Sequence, residues 1–524
     1  MVYTYHNETK HSQLQYAKSL GYMDWATQPN PYRSYADTQK TELPLSFENK
    51  SLEYSQIFTQ RREEEKVVAP LCLKSVSQFF QFSLGLAAIK EFGDQSWALR
   101  CNASSGNLQP SEAYIIAKDI EGIEDGLHHY APLEHQLELL SATTSDFALP
   151  NNSFLVSLSS IVWREAWKYG ERSWRYTQLD CGHALKALEV SALILGWKIE
   201  VVSTKDTELQ SLIGFDQAHR YVPEERELAD MLLLVTLDDT VQTTELNINI
   251  DINTLRNALE DVYIGKANQL SRDWHKWDIL ERIEDATLTD ELKVFKNDVY
   301  EENPYRKSSA LAKDIVLNRR SAQVMNKDDC TITKNEFETI LGSVKAHKSP
   351  IHLVVFVHSV KDIDSGLYIL VRNDAHKAEL QSLLKKSFLW ERVDTDAGAL
   401  YKLQDGNMRA ISKTISCNQD IASHGAFTLG MLAQFSEQIT EFGASRYKEL
   451  YWECGAIGQQ LYLETTSLNL SATGIGCFLD DILHDVIGLK TNHFQTLYHF
   501  TIGRGLVDER LSTLKPYASR KIAL

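Results

Sequence analysis

Ala103-Ser104-Ser105-Gly106-Asn107-Leu108-Gln109-Pro110 leads into an apolar, strand-like segment, Glu112-Ala113-Tyr114-Ile115-Ile116. Hydroxyl and amide groups at this spacing can hydrogen-bond the edge of a flat polar ring, and Gly106 lets backbone approach it closely. Further along come Gly126-Leu127-His128-His129-Tyr130 and then Asp180-Cys181-Gly182. The latter opens a helical pattern with Leu185, Leu188, Ala192 and Leu195 on one face. The same order recurs later in the chain. Pro350 precedes Leu353-Val354-Val355-Phe356 as Pro110 precedes its strand, and Gly366-Leu367-Tyr368 answers Gly126-Leu127-His128. Glu453-Cys454-Gly455 opens a second helical pattern with Ile457, Leu461 and Leu468. Arg62 stands as far before Phe79 as Arg320 stands before Phe337.

Basic pair, helix, strand, Gly-Leu strand and acidic-Cys-Gly helix therefore occur twice, which predicts one domain written twice. Two long copies are not a repeat array. The expected fold is α+β, each half a mixed or antiparallel sheet packed by helices, the halves pairing as an intrachain pseudo-dimer. Residues 1–50, polar with Pro29, Pro31 and Pro44, read as an extended N-terminal arm. The first domain spans 51–238 and ends after Met231-Leu232-Leu233-Leu234-Val235. Residues 239–300, rich in Asp, Glu and Thr, read as a linker with bridging helices at Thr254–Val262 and Asp290–Val299. The second domain covers 301–524.

The totals bound the rest. At about 100–200 residues per domain, 524 residues suffice for two large domains. A net charge of −17 argues against a general nucleic-acid or anionic-membrane binder, while leaving room for one small anion at a local basic site. Seven cysteines, at 72, 101, 181, 330, 417, 454 and 477, show no CxxC spacing. A disulfide framework or zinc ribbon is not expected, and a reducing cytoplasm fits. The N-terminus, Met1-Val2-Tyr3-Thr4-Tyr5-His6, does not read as a signal peptide, and no apolar run reaches the roughly 18 residues of a membrane span.

The two copies carry complementary equipment. Arg319-Arg320-Ser321-Ala322-Gln323 offers planar guanidinium forks and a hydroxyl, donors suited to a terminal phosphate. The aligned Arg61-Arg62-Glu63-Glu64-Glu65 places carboxylates where they would repel a phosphate. Thr473-Gly474-Ile475-Gly476 can lay main chain against a ring or expose N–H donors, whereas the aligned Glu200-Val201-Val202-Ser203 has no glycine. Conversely, the Ser-Ser-Gly-Asn arm is answered in the second copy by Val344-Lys345-Ala346-His347.

At these residues the chain resembles the FMN-dependent nitroreductase superfamily, and within it the SagB-type dehydrogenases of azole-peptide biosynthesis. The superfamily pattern Pro-Ser-Ser-x-Asn-x-Gln-Pro-Trp matches residues 103–111, with Ala103 and Ser111 as departures. Arg-x-Ser-x-Lys/Arg matches Arg319 through Gln323. SagB-like features include Gly126 through Tyr130, Trp167-Lys168-Tyr169-Gly170-Glu171-Arg172, Tyr176, Thr473 through Asp481, and Leu497 through Gly503. The resemblance implies FMN, about one per chain, in a single composite site. Arg319, Arg320, Ser321, Gln323, Gly474 and Gly476 would come from the second copy, and Ser104, Ser105, Asn107 and Gln109 from the first. The sister site, combining Glu63, Val201 and His347, would be a poor flavin pocket. Arg504 is a further candidate phosphate ligand. Gln323 stands where the family usually has a basic residue near the flavin, which lowers the expected stabilisation of the reduced, anionic ring.

The resemblance also assigns Lys168 and Tyr169 to proton removal as hydride passes to the flavin; the alternative is a surface lysine beside a core tyrosine. The expected activity is that of a flavin oxidoreductase, either azoline dehydrogenation or nitro/quinone reduction. The substrate would be a small molecule or peptide, with NAD(P)H as a candidate external reductant. Partners would include neither nucleic acid nor membrane, and higher oligomers are left open. The rival reading is a degenerate flavin-binding or flavin-free scaffold in a peptide-modifying complex. His128-His129 reads as a strand-end pair rather than a metal site. Cys181 and Cys454 are placed at helix starts, where a thiol pKa can fall, but they read as buried packing residues. Trp163, Trp167, Trp174 and Tyr176 read as core or pocket wall.

Overall fold

The computed structural model describes residues 1–45, 52–59, 68–237, 250–290 and 306–518. Among them two compact units are distinguished: Ser19–Lys296 with Leu311–Leu317 and Leu511–Leu524, and Asn318–Arg510 with Met1–Lys18 and Asn297–Ala310. We call these the first-half and second-half units. The fold is α+β, and no described helix is long and apolar enough to cross a membrane.

The first-half unit is built on a seven-stranded antiparallel sheet. Its spatial order is Lys40–Glu42, Gln136–Ala142, Gly126–Ala131, Ser111–Ala117, Ser153–Ser160, Leu228–Thr236 and Lys198–Val202. Ser111–Ala117 is buried at every position, as a continuous apolar run between two covered faces should be. The helix Ser173–Ile194 packs on Ser111–Ala117 and Ser153–Ser160. A core of Tyr114, Ile116, Leu127, Leu155, Leu212, Leu232 and Leu234 fills the opposite face. Burying each of these large side chains contributes about 1.5–3 kcal/mol.

The second-half unit repeats the plan. Its sheet runs Glu391–Arg392, Ala399–Asp405, Gly366–Val371, Ile351–Val357, Phe427–Gln434, Phe494–Gly503 and Ser471–Ile475. With the outer strand of each sheet set aside, the remaining strands ranked by chain order read 3-2-1-4-6-5 across both sheets. The helix Arg446–Ser467 corresponds to Ser173–Ile194 in length and place.

Several expectations need correction. Residues 1–50 are not extended throughout. Val2–Glu8 is a helix whose Val2 and Tyr5 are buried, and His6 is held in the second-half unit by Tyr447 Oη at 3.0 Å and Gln495 Oε1 at 2.9 Å. Residues 250–267 are core rather than linker, since Ile252, Leu255, Leu259 and Tyr263 join the first-half cluster. The helix expected at Thr254–Val262 is Ile252–Asn257: the Asp251 carboxylate caps it early, and Leu259 has already turned to pair with Thr143. A second helix is Asp278–Thr287; of the one expected at Asp290–Val299, residues 291–299 lie outside the described residues.

Cys181 and Cys454 are not at helix starts either. Their helices begin at Ser173 and Arg446, so both lie in helix interiors, fully buried. Burial pushes the Cys454 thiol well above its usual range. The upstream turns are buried all round, so they lack the polar face that marks a helix in sequence.

Candidate functional site

In the first-half unit the 103–110 stretch is a tight, strained arm. Ser105–Asn107 forms a 3-10 turn, with Gly106 at φ 59°, Asn107 at 58° and Gln109 at 54°. Left-handed backbone at non-glycine residues costs of order 1–3 kcal/mol each and persists only where the surroundings impose it. Here the surroundings are visible. Gln109 N donates to Ser104 Oγ at 2.8 Å, Asn107 Nδ2 to Ala98 O at 2.9 Å, and Gln109 Nε2 to Asn107 Oδ1 at 3.0 Å. Ser105 N and Oγ both donate to the Asp180 carboxylate, at 2.9–3.1 Å. The arm's side chains are thus largely committed to each other and to the helix behind them.

Lys168 and Tyr169 end the helix Val162–Tyr169, which Gly170 terminates at φ 55°. Both reach the arm: a Cβ on Gly106 would stand 2.7 Å from Tyr169 Oη and 3.1 Å from Lys168 Nζ. Tyr176 packs edge-on against Tyr169 at 4.6 Å and accepts from Arg172 Nε at 3.2 Å. Behind the arm lie two buried carboxyls that the sequence reading missed. Burial pushes Asp180 up to about 7, against the lowering effect of the Ser104 and Ser105 hydrogen bonds. Glu165 is held well above the usual carboxylate range by burial, by the Asp180 charge and by a side-chain hydrogen bond with Asp180. Of the aromatic cluster, Trp163 and Trp167 are scaffold: their indoles donate to Ser271 Oγ at 2.8 Å and Thr27 Oγ1 at 3.2 Å.

An ionic layer under the arm was also missed. Arg164 Nη1 donates to Gln109 O at 2.7 Å and to Glu112 at 2.5 Å. His129 lies between Glu112 at 3.3 Å and Glu138 at 3.0 Å. Burial alone would lower the His129 pKa, but the hydrogen bonds its ring donates to these two carboxylates raise it to about 9. Glu112 falls to about 2, because Arg164 and His129 outweigh its burial. The alternation of Glu112, Tyr114 and His129 among apolar strand residues was the available signal.

In the second-half unit, three predicted residues converge on Tyr462, which sequence reading did not single out. Its hydroxyl pairs with Ser321 Oγ at 2.8 Å and accepts from Gly474 N at 2.8 Å, and the Arg319 guanidinium lies 5.2 Å over its ring. The segment carrying these donors is threaded between two tethers. Ala322 N bonds Ala472 O at 2.9 Å, and Asn326 N bonds Arg504 O at 2.7 Å. Gln323 is exposed between them. Arg320 Nη1 turns back to Arg319 O at 2.6 Å. Arg504 Nε is buried without a hydrogen-bond partner, 3.8 Å from Asp329 Oδ1. Gly474 lies within the strand Ser471–Ile475, which follows the helix Arg446–Ser467, and Gly476 comes directly after that strand. Where the first half has its arm, Lys345 and His347 line a cavity of about 300 Å³ with Arg372, Arg392, Asp374 and Asp396. Arg61 through Glu65, the sister cradle, lie outside the described residues.

A side chain at Gly474 requires Tyr498 to move, since its Cβ would stand 1.9 Å from Tyr498 Oη and 2.7 Å from Cζ. Gly474→Ala is therefore expected to lower stability by about 1–3 kcal/mol through overpacking. A thermal melt reads this as a drop of several degrees, and an unchanged Tm would show that Tyr498 yields freely.

Residues 318–504 match the nitroreductase family model. A stretch of 189 residues is 22% identical to the "Putative nitroreductase" of Methanocaldococcus jannaschii, covering 34% of this chain and 90% of that protein. The crystal structure of a "putative nitroreductase" from Anabaena variabilis aligns with a TM-score of 0.68 over 96% of this chain and 99% of its own, at 18% identity. That likeness establishes a shared fold.

Proposed function

We propose that the chain is an FMN-dependent oxidoreductase with one composite flavin site, to which both halves contribute residues. The observation that carries this reading is the convergence of Arg319, Ser321 and Gly474 on Tyr462, inside the span that matches the nitroreductase family. The donor set there fits a flavin phosphate: two guanidinium groups, a hydroxyl, and nearby the Arg504 Nε, which makes no hydrogen bond and pairs only loosely with Asp329. The 104–109 arm fits the ring mainly through backbone, because its side chains are spent internally.

When bound, FMN supplies the hydride chemistry, and the protein supplies position and electrostatics. Arg319, Arg320 and Ser321 would hold the phosphate, with Arg504 in support. Gly474 and Gly476 would let backbone lie close to the ring, and Ser104, Ser105, Asn107 and Gln109 would contribute the first half's contacts to it. Lys168 Nζ accepts the proton that leaves the substrate, and Tyr169 orients it. Gln323 offers an amide where a cation would stabilise negative charge, so the reduced state is less favoured. The substrate is organic, either an azoline-bearing peptide or a nitro or quinone compound, with NAD(P)H as external reductant in the latter case. The tandem halves replace the two subunits of a dimer, and a second flavin site is lost.

The test is the cofactor content of the purified chain. A yellow protein with about one FMN per chain is expected, the colour being the flavin's own. Two FMN per chain would overturn the single-site reading. A colourless chain that FMN cannot reconstitute would favour the flavin-free scaffold.

A further inference from the structure

Five of the seven cysteines have plain packing roles. Cys101, Cys181, Cys330 and Cys454 are buried, and Cys72 opens the helix Leu73–Gln81 opposite Ser75. Cys417 and Cys477 differ. They are 60 residues apart in the chain, yet their Sγ atoms lie 2.7 Å from one another, closer than unbonded sulfurs settle. Both are half-exposed, within reach of a small solute.

The surroundings hold the pair together. Cys417 lies in the turn between the helices Arg409–Ile415 and Asp420–His424, with φ 52°, followed by Asn418 at 59°. Asparagine tolerates the left-handed region; a cysteine there is uncommon and must be imposed. Gln419 Nε2 donates to Ser416 O at 2.9 Å and to Cys477 O at 3.2 Å, tying the turn to the opposing backbone. Leu479 N bonds Ile415 O at 2.7 Å on the far side. The Tyr16 hydroxyl hydrogen-bonds Cys417, and the His11 ring packs on Tyr16 at 4.7 Å. Cys477 directly follows Gly474-Ile475-Gly476.

We propose that Cys417 and Cys477 are a reversible dithiol–disulfide site, oxidised by a hydroperoxide, at the exit of the strand Ser471–Ile475. One thiolate sulfur attacks a peroxide oxygen. The O–O bond breaks, the alkoxide leaves and takes up a proton as alcohol, and a sulfenic acid remains. The second thiolate attacks that sulfur, the S–S bond forms, and hydroxide leaves as water with the remaining proton. Both sulfurs are oxidised and the peroxide is reduced: two thiols and one hydroperoxide give one disulfide, one alcohol and one water. In a reducing compartment such a bond is transient and responsive rather than a permanent staple. The site stands whether or not the flavin reading does.

The test uses the full chain. Protein is treated with hydrogen peroxide, denatured, alkylated and weighed intact. Alkylated thiols are expected to fall from seven to five, to return to seven after dithiothreitol, and to map to one peptide pair joining Cys417 and Cys477. Cys417→Ser should abolish the cross-link and leave Cys477 singly oxidised. Seven alkylated thiols after peroxide, a cross-link through Cys72, or two thiols still lost together in Cys417→Ser would each overturn the proposal. The wild-type map decides the matter even if the variant fails to fold.

Discussion

Lys168→Ala is expected to slow turnover by about 10²–10⁴-fold while leaving flavin content unchanged, the range associated with removing a positioned acid or base. Lys168 Nζ stands beside the exposed Gly106 in the first half, whereas the phosphate donors Arg319 and Ser321 belong to the second. Its loss should therefore touch the proton step and not retention of the cofactor. Lys168→Arg should not restore the rate, since a guanidinium stays protonated and cannot accept a proton. The check is single-turnover bleaching of flavin absorbance with any accepted substrate, alongside the flavin-to-protein ratio. Equal rates in wild type and Lys168→Ala would remove Lys168 from the reaction and leave it a surface residue beside a packed tyrosine.

Glu112→Leu is expected to be the most damaging single change to stability. Glu112 is fully buried and accepts from both Arg164 and His129. Its removal leaves two basic groups in the core with fewer partners, which costs about 3–5 kcal/mol. For a unit of this size the melting temperature should fall by roughly 10 °C or more. The arm should loosen with it, because Arg164 also holds Gln109 O.

The pH dependence has a definite sign. Glu112, lowered to about 2, contributes stability above its unfolded value of 4.5 and loses it as pH falls toward 2. His129, raised to about 9, contributes fully below 6.5 and loses that contribution as pH rises through 9. The gap between wild type and Glu112→Leu should therefore be widest from about pH 4.5 to 6.5 and shrink at both extremes. Denaturant melts across this range check it. A gap independent of pH would mean that the layer acts by packing alone.

Much of the architecture was legible because it follows from local periodicity. Tyr114 through Ile116 and Leu353 through Phe356 announce buried strands, and the recurrence of the Gly-Leu strand and Cys-Gly helix announced a repeated plan, which the matching strand order of the two sheets echoes. Helix starts were not legible. Ser173–Ile194 and Arg446–Ser467 are buried on nearly all sides, so amphipathic periodicity is absent in the turns before Asp180 and Glu453. Residues 250–267 were read together with the Asp-, Glu- and Thr-rich stretch around them, yet their own apolar residues, Ile252, Leu255, Leu259 and Tyr263 among them, join the core.

The sequence by itself determined which groups this protein has to work with: the Ser-Ser-Gly-Asn arm and Lys168-Tyr169 in one half, and the Arg-Arg-Ser and Gly-Ile-Gly pieces in the other. Residue type and spacing carry that information, because hydrogen-bonding capacity and backbone freedom are properties of the residues themselves. Only the tertiary structure decided what those groups touch. It spends the arm's side chains on Asp180, Ala98 and each other, turns Lys168 and Tyr169 onto Gly106, gathers Arg319, Ser321 and Gly474 on Tyr462, and sets Cys417 against Cys477. Apart from Ala98 and the bonds within the arm, these partners lie from 12 to 141 or more residues apart. Such contacts are chosen by the packing of sheets and helices, which no local pattern in the chain encodes.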